Sequence, residues 1–182
     1  LEVLERDYSH PSIIGWCPLN ETRQRMHDRI TQLDDVTRGL FLAAKAMDTT
    51  RPALDASGYS HRVVESDIYD AHDYEQDSGK FAAHHAGLAA GKPFVNKGGQ
   101  GEWSIPWRGQ PYFVSEFGGI WWSAEARPRE ESWGYGERPK SETEFYSRFE
   151  KLCSALLDNP RMFGYCYTCL LYTSPSPRDR QK

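Results

Sequence analysis

Ser12-Ile13-Ile14-Gly15-Trp16-Cys17-Pro18-Leu19-Asn20-Glu21 is the stretch on which the fold turns. A His10-Pro11 turn precedes it, Pro18 bounds the apolar run, and the run has the length of a buried strand. Asn20 and Glu21 therefore sit just past a strand's C-terminal end. A second stretch repeats the arrangement. Pro111-Tyr112-Phe113-Val114-Ser115-Glu116-Phe117-Gly118-Gly119 reads as a strand running into a glycine turn, with Glu116 near its end. In a parallel α/β barrel every strand opens on the same face at its C-terminal end, so two such carboxylates can converge from separate strands. Ninety-five residues separate Glu21 from Glu116. A barrel of about 250 residues in eight units allots about 31 to each, which puts the two glutamates three strands apart.

The rest of the chain fills that frame. Residues 24–47 carry Ile30, Leu33, Leu40, Phe41, Ala44 and Met47 at helical spacing. Arg51-Pro52 stops the pattern, since proline disfavours helix in the residue before it. Residues 52–56 form a short strand, residues 66–74 another, and residues 80–90 an Ala-rich helix. Lys97 to Gly101 is a glycine-rich loop without the Gly-Lys-Ser/Thr of a phosphate-binding loop. Residues 127–140 are polar, with Pro and Gly, and read as a loop. Ser141-Glu142-Thr143-Glu144 looks like a capping box, opening a helix with Phe145, Phe149, Leu152, Cys153 and Leu156 on one stripe, which Asn159-Pro160 ends. Residues 162–171 form a last apolar strand. Strands alternating with helices imply a parallel sheet, and the expected fold class is α/β, a partial (β/α)8 barrel.

Composition narrows the function. The 182 residues can bury a real core, and 6 Trp with 10 Tyr raise aromatic content to 13%, which suits a concave site that stacks on flat rings such as sugars. A net charge of −4 and pI near 5.9 argue against a nucleic-acid partner, which would need a basic face. The apolar runs are too short to cross a bilayer, so no membrane partner is expected. Leu1 is not a start methionine, so neither a cytoplasmic nor a secreted location can be read from this end. Oligomeric state is equally unmarked. Cys17, Cys153, Cys166 and Cys169 form no disulfide framework, and Cys166-Tyr-Thr-Cys169 lacks the second ligand pair of a zinc site. The acidic group Asp67, Asp70, His72, Asp73 reads as solvated or paired rather than metal-binding. His84-His85 is expected on the surface of its helix. Asn20-Glu21-Thr22 matches a glycosylation sequon but overlaps the candidate site.

His10-Pro11-Ser12-Ile13-Ile14-Gly15-Trp16 followed by Asn20-Glu21 resembles the acid/base signature of glycoside hydrolase family 2, which holds β-galactosidases, β-glucuronidases and β-mannosidases. Ser115-Glu116-Phe117-Gly118-Gly119 resembles that family's nucleophile strand, and Asp67-Ile68-Tyr69-Asp70-Ala71-His72-Asp73-Tyr74 its sixth barrel strand. The resemblance covers roughly residues 5–168. It implies barrel strands four to eight, a retaining β-glycosidase acting on a carbohydrate β-glycoside, and no cofactor. It further implies Glu116 as nucleophile, Glu21 as acid/base and Asn20 as the partner of the sugar 2-hydroxyl. Period two puts Asp70, His72 and Tyr74 on one face of the sixth strand. His72 and Tyr74 are thus expected to line the site, Tyr74 near the nucleophile, with Trp121 or Trp122 as a sugar platform. The His72–Gln76 stretch favours a β-galactosidase-like member. A catalytically silent carbohydrate-binding barrel and a metal-dependent barrel hydrolase are the alternatives.

Two departures from the family pattern bear on function. The sugar-binding and immunoglobulin-like domains and strands one to three, which precede this region in the family, are not within the 182 residues. Residues 169–182, polar and Pro-rich, resemble translated adapter sequence and are expected to be a disordered, non-native tail outside the catalytic region of residues 1–168.

Overall fold

The computed structural model describes residues 1–22, 33–98, 101–122 and 134–168. The expected tail at 169–182, including Cys169, lies outside these, as do the first turns of the helix expected from residue 24 and much of the polar loop after residue 127. The elements in order are α1 (Glu2–Asp7), α2 (Leu33–Met47), β1 (Tyr69–Asp73), α3 (Ser78–Ala86) with a 3-10 turn over Gly87–Ala90, β2 (Lys97–Gly98), β3 (Gly101–Glu102), β4 (Tyr112–Gly118), α4 (Glu142–Leu157) and β5 (Met162–Thr168). The fold is mixed α/β. Strands β1, β4 and β5 form a three-stranded parallel sheet in the order β1-β4-β5, and β2 pairs with β3 antiparallel. The chain divides into two compact units, one of residues 1–72 and 95–113, the other of residues 73–94 and 114–182.

In the first unit the two N-terminal runs expected as strands pair only through isolated parallel bridges, Trp16 with Ala53 and Asn20 with Ser57. Four backbone hydrogen bonds carry the pairing. Trp16 N–H donates to Pro52 O at 3.0 Å, Leu54 N–H to Trp16 O at 2.8 Å, Ser57 N–H to Leu19 O at 2.8 Å and Glu21 N–H to Ser57 O at 2.9 Å. Pro18 and Pro52 have no N–H to give, which shortens the regular ladder. Phe41 of α2 packs with Ala53 and Val63 in a buried cluster that Trp16 half covers. The Trp16 indole donates to Asp48, which also accepts from Thr50 and Arg51 and so ties the end of α2 to the first bridge. The expected glycine-rich loop contains the β2–β3 pairing. The six-residue α1, too short for a periodic pattern, is a feature that sequence patterning passed over.

In the second unit α3 packs against α4. Asp77 caps α3 by accepting from Lys80 N–H at 2.9 Å, and Gly91 ends the following 3-10 turn at φ +75°. Ser141 caps α4, accepting from Glu144 N–H at 3.2 Å. Glu144 closes the capping box one residue earlier than the motif prescribes, on Lys140 N–H at 2.8 Å. The core is aromatic and aliphatic. Phe81 of α3 stacks on Phe117 of β4 at 5.8 Å, Phe117 meets Tyr165 and Tyr167 of β5 edge-on, and Leu152 and Leu156 of α4 are fully buried. Contrary to the surface expected for both histidines, His85 is buried, because it lies one turn after Phe81 on the inward stripe of α3. His84 Nδ1 and His85 Nε2 both face Asp73 Oδ2, at 2.8 and 3.1 Å.

Candidate active site

Glu21 lies in the first unit, immediately after the Asn20–Ser57 bridge. Its backbone sits at φ +48°, a conformation that side-chain-bearing residues rarely adopt and that costs about 1–3 kcal/mol. Two contacts hold it there: the 2.9 Å bond from its own N–H to Ser57 O, and a 2.9 Å contact between Oε1 and Nδ1 of His72. The carboxylate stays part-exposed, with 38% of the side chain accessible, while the His72 ring is wholly buried. Asn20 presents an exposed side chain next to it.

Behind His72 runs a buried polar chain. Ser57 Oγ lies 2.8 Å from His72 Nε2 and donates to Asp70 Oδ2 at 2.8 Å. Asp70 Oδ1 accepts from Gly58 N–H at 2.9 Å and faces His61 Nε2 at 3.0 Å. His61 Nδ1 faces Asp55 Oδ1 at 2.9 Å, and the other Asp55 oxygen accepts from the Arg62 and Val63 amides. Burial alone would push the His61 imidazole down, but hydrogen bonds and charge from Asp55 and Asp70 outweigh it and raise it to about 10. Burial opposes ionisation of Asp55 too, and the hydrogen bonds from His61, Val63 and Arg62 nonetheless hold its carboxyl below the usual range. The acidic group singled out in the sequence is thus distributed among separate partners. Asp67 pairs with Lys45 at 2.8 Å, Asp70 serves Ser57, Gly58 and His61, and Asp73 takes His84 and His85.

Glu116 lies in the second unit, on β4. The Tyr74 hydroxyl donates a short hydrogen bond to Glu116 Oε2 and lies 3.2 Å from Thr168 Oγ1 on β5. The Tyr74 ring stacks on Tyr135 with centroids 3.8 Å apart. Burial and then the neighbouring Glu116 carboxylate raise the Tyr74 phenol well above its ordinary value, so it remains a donor. Past Glu116 the chain turns through Gly118 and Gly119 at φ +75° and +56°. A Cβ at Gly118 would lie 2.1 Å from the Tyr167 ring, so only glycine fits. Gln76 spans the turn, donating to Gly118 O at 2.7 Å and Tyr74 O at 3.0 Å. Of the two tryptophans that follow, Trp122 stacks on Phe145 of α4 at 5.8 Å, while Trp121 is half-buried with its backbone close against Gly134.

Sequence patterning singled out Glu21, Asn20, His72, Tyr74, Glu116 and Trp121. It passed over Ser57, Gly58, His61 and Asp55 on one side, and Tyr135 and Thr168 on the other. Those residues act through partners distant in sequence; the one available signal was the set of buried-type polar residues after each apolar run.

No family model matches the chain, and no curated protein matches it either. Solved structures share its fold. A GH2 beta-galacturonidase from Eisenbergiella tayi, bound to galacturonate, is 15% identical with a TM-score of 0.56, over 91% of this chain and 27% of that one. A beta-D-glucuronidase from Dictyoglomus thermophilum is 20% identical with a TM-score of 0.57, over 92% and 27%. A beta-glucuronidase from Ruminococcus gnavus, in complex with an N1-substituted uronic isofagomine, is 17% identical with a TM-score of 0.58, over 92% and 27%. The chain therefore spans about a quarter of the length of these structures, and at such identities the likeness is one of fold.

Proposed function

We propose that this chain carries both catalytic carboxylates of a retaining β-glycosidase of the glycoside hydrolase family 2 type. Residues 1–168 supply barrel strands four to eight, residues 169–182 are a non-native tail, and the first three strands come from sequence outside these 182 residues. The observation that carries the reading is the hydrogen bond from Tyr74 to Glu116 on β4, just before a double-glycine turn. The strained, part-exposed Glu21 past the Asn20 bridge and the fold shared with β-glycosidases support it.

Retaining hydrolysis needs two carboxyls about 5–5.5 Å apart, one on each side of the anomeric carbon. Glu116 attacks that carbon, the glycosidic bond breaks, and Glu21 gives its proton to the departing oxygen. Water then loses a proton to Glu21 and displaces Glu116, restoring the β configuration. Tyr74, kept protonated, holds the attacking carboxylate in one orientation and can follow its charge through both steps. Asn20 bonds the sugar 2-hydroxyl, His72 and Tyr74 line the site, Trp121 offers a stacking face, and a β-galactoside is the favoured substrate. No cofactor takes part.

The test joins residues 1–168 to the barrel strands that precede them in the parent gene and assays a chromogenic panel of β-galactoside, β-glucuronide, β-galacturonide and β-mannoside. The wild type turns over at least one member, and Glu116→Ala abolishes that turnover, losing on the order of 10⁴-fold or more. Azide then restores aglycone release with an α-glycosyl azide as product. Full activity in Glu116→Ala contradicts the assignment. The 182-residue chain alone shows no measurable hydrolysis, because five strands cannot close a barrel.

A further inference from the structure

Residues 134–136 read Gly-Tyr-Gly, and both glycines are required by close approach. A Cβ on Gly134 would lie 2.1 Å from Trp121 Cα, and one on Gly136, at φ +70°, would lie 2.5 Å from Gln76 Cγ. Between them, Tyr135 N–H donates to Gly119 O at 2.8 Å, in the parallel bridge of Ile120 with Tyr135. A Cβ on Gly119 would in turn meet the Tyr135 ring at 2.8 Å. Gln76 ties the other side, its amide nitrogen donating to Gly118 O at 2.7 Å and to Tyr74 O at 3.0 Å. The segment is thus seated by its backbone on the turn that follows Glu116. Its one side chain lies on Tyr74, with ring centroids 3.8 Å and planes 20° apart. The hydroxyl at the far end of the Tyr74 ring reaches Glu116 Oε2 and Thr168 Oγ1.

We propose that Tyr135 is a positioning residue for Glu116: the 134–136 segment is a strap that lays the Tyr135 ring flat on Tyr74 and so holds the Tyr74 hydroxyl on the nucleophilic carboxylate. The proposal rests on the reading of Glu116 as nucleophile. A phenol hydroxyl stands at the far end of its ring, so a small swing at Cβ is magnified there, and a hydrogen bond weakens steeply once it is bent. A second ring pressed on the face removes that swing. Two aromatic rings lose few rotamers when they stack, so the hold is stiff. A stiff hold is what a carboxylate needs if it is to meet the anomeric carbon in one orientation. The cover also keeps water off the phenol. Burial is the largest cause of the raised Tyr74 phenol, the Glu116 carboxylate follows, and Tyr135 adds to both, while Thr168 opposes them. Tyr135 thus acts on Glu116 through Tyr74, from a segment that the sequence reads only as polar loop.

Two measurements test this. The first needs no substrate. NMR of the 182-residue chain with carbon-13-labelled tyrosine finds a Tyr74 hydroxyl proton that exchanges slowly with water, assigned by its loss in Tyr74→Phe. Tyr135→Phe, which keeps the ring, keeps that slow exchange. Tyr135→Leu and Tyr135→Met, which fill much of the space without a flat face, lose it, and either one that folds decides the point. A hydroxyl proton equally protected without the Tyr135 ring overturns the proposal, and so does a wild-type Tyr74 hydroxyl that exchanges as fast as a free phenol. The second measurement uses the completed barrel. Tyr135→Leu or Tyr135→Met slows formation of the glycosyl-enzyme from a dinitrophenyl β-glycoside at least about tenfold, Tyr135→Phe less than about threefold, and the inhibition constant of the free product sugar moves less than about threefold in each. In the Tyr74→Phe background the same substitutions cost less than about threefold more, because the hydroxyl they would misplace is gone. Full, additive losses in both backgrounds overturn the proposal. So does a weakened grip on the product sugar with an unchanged rate of glycosyl-enzyme formation, which marks a sugar-stacking role. Full activity in Glu116→Ala counts against the nucleophile reading instead, and leaves the hydroxyl exchange to decide whether Tyr135 holds Tyr74.

Discussion

At residue 58 the backbone turns through φ +83° and the missing side chain is replaced by the face of the His72 imidazole. Two independent penalties therefore meet at one position. Gly58→Ala is expected to lower stability by about 2–4 kcal/mol, from the left-handed backbone and from forcing the ring off its contacts with Ser57 and Glu21. Gly39 is the control. It lies in α2 with nothing within 4 Å of a built Cβ, so Gly39→Ala is neutral or stabilising by about 0.5–1 kcal/mol. Urea unfolding of the two variants checks the contrast, and equal effects would contradict the close approach at Gly58. The same position marks how far single residues were legible. Glu21 and Glu116 stood out because each ends an apolar run, and period two correctly placed Asp70 and His72 on one face, where both reach Ser57 Oγ. Ser57, His61 and Asp55 carry no such mark, since their meaning lies in which loop folds over which.

At the scale of elements, the segment from Ala53 to Asp73 is held by buried charge as much as by a ladder. Asp55 follows the first bridge, His61 sits in the loop after it, and Asp70 is on β1, so one Asp–His–Asp chain ties three pieces of backbone together. Its pH dependence follows from the two shifts. His61 is raised to about 10 in the folded chain, so its contribution is fully present below its ordinary value of about 6.5 and is lost as pH climbs through about 10. Asp55 is held low, so its contribution is present above about pH 4 and is lost on further acidification. The thermal midpoint is expected to be flat near pH 5–6.5 and to fall toward pH 10. In His61→Gln the fall between pH 7 and 10 is smaller, and a scanning calorimetry series with parallel slopes for both proteins would contradict this account. Element types were legible where local chemistry states them, as at Ser141 and Asp77, whose side chains cap α4 and α3. They were less legible where pairing is set by distant backbone. Prolines 18 and 52 cut the first pairing to bridges, and Lys97–Gly98 pairs antiparallel with Gly101–Glu102 where glycine content alone reads as loop.

At the scale of the whole molecule, the chain shares its fold with β-glycosidases several times its length, and each of its two units delivers one of the proposed carboxylates with its own support. Glu21 comes with Ser57 and His72, Glu116 with Tyr74 and Thr168. The spacing of ninety-five residues raised the expectation of a three-strand separation; what spacing cannot state is how each carboxylate is steered, because that depends on side chains from other loops. The central claim is that Glu116 forms a bond to the sugar. Incubating the completed barrel with an activated 2-deoxy-2-fluoro β-glycoside, of whichever sugar the panel selects, traps that intermediate, and peptide mass mapping locates it. The account predicts one fluoroglycosyl group, on the peptide containing Ser115-Glu116-Phe117, absent from Glu116→Gln. A label on any other residue, or rapid turnover of the probe by Glu116→Gln, would contradict it.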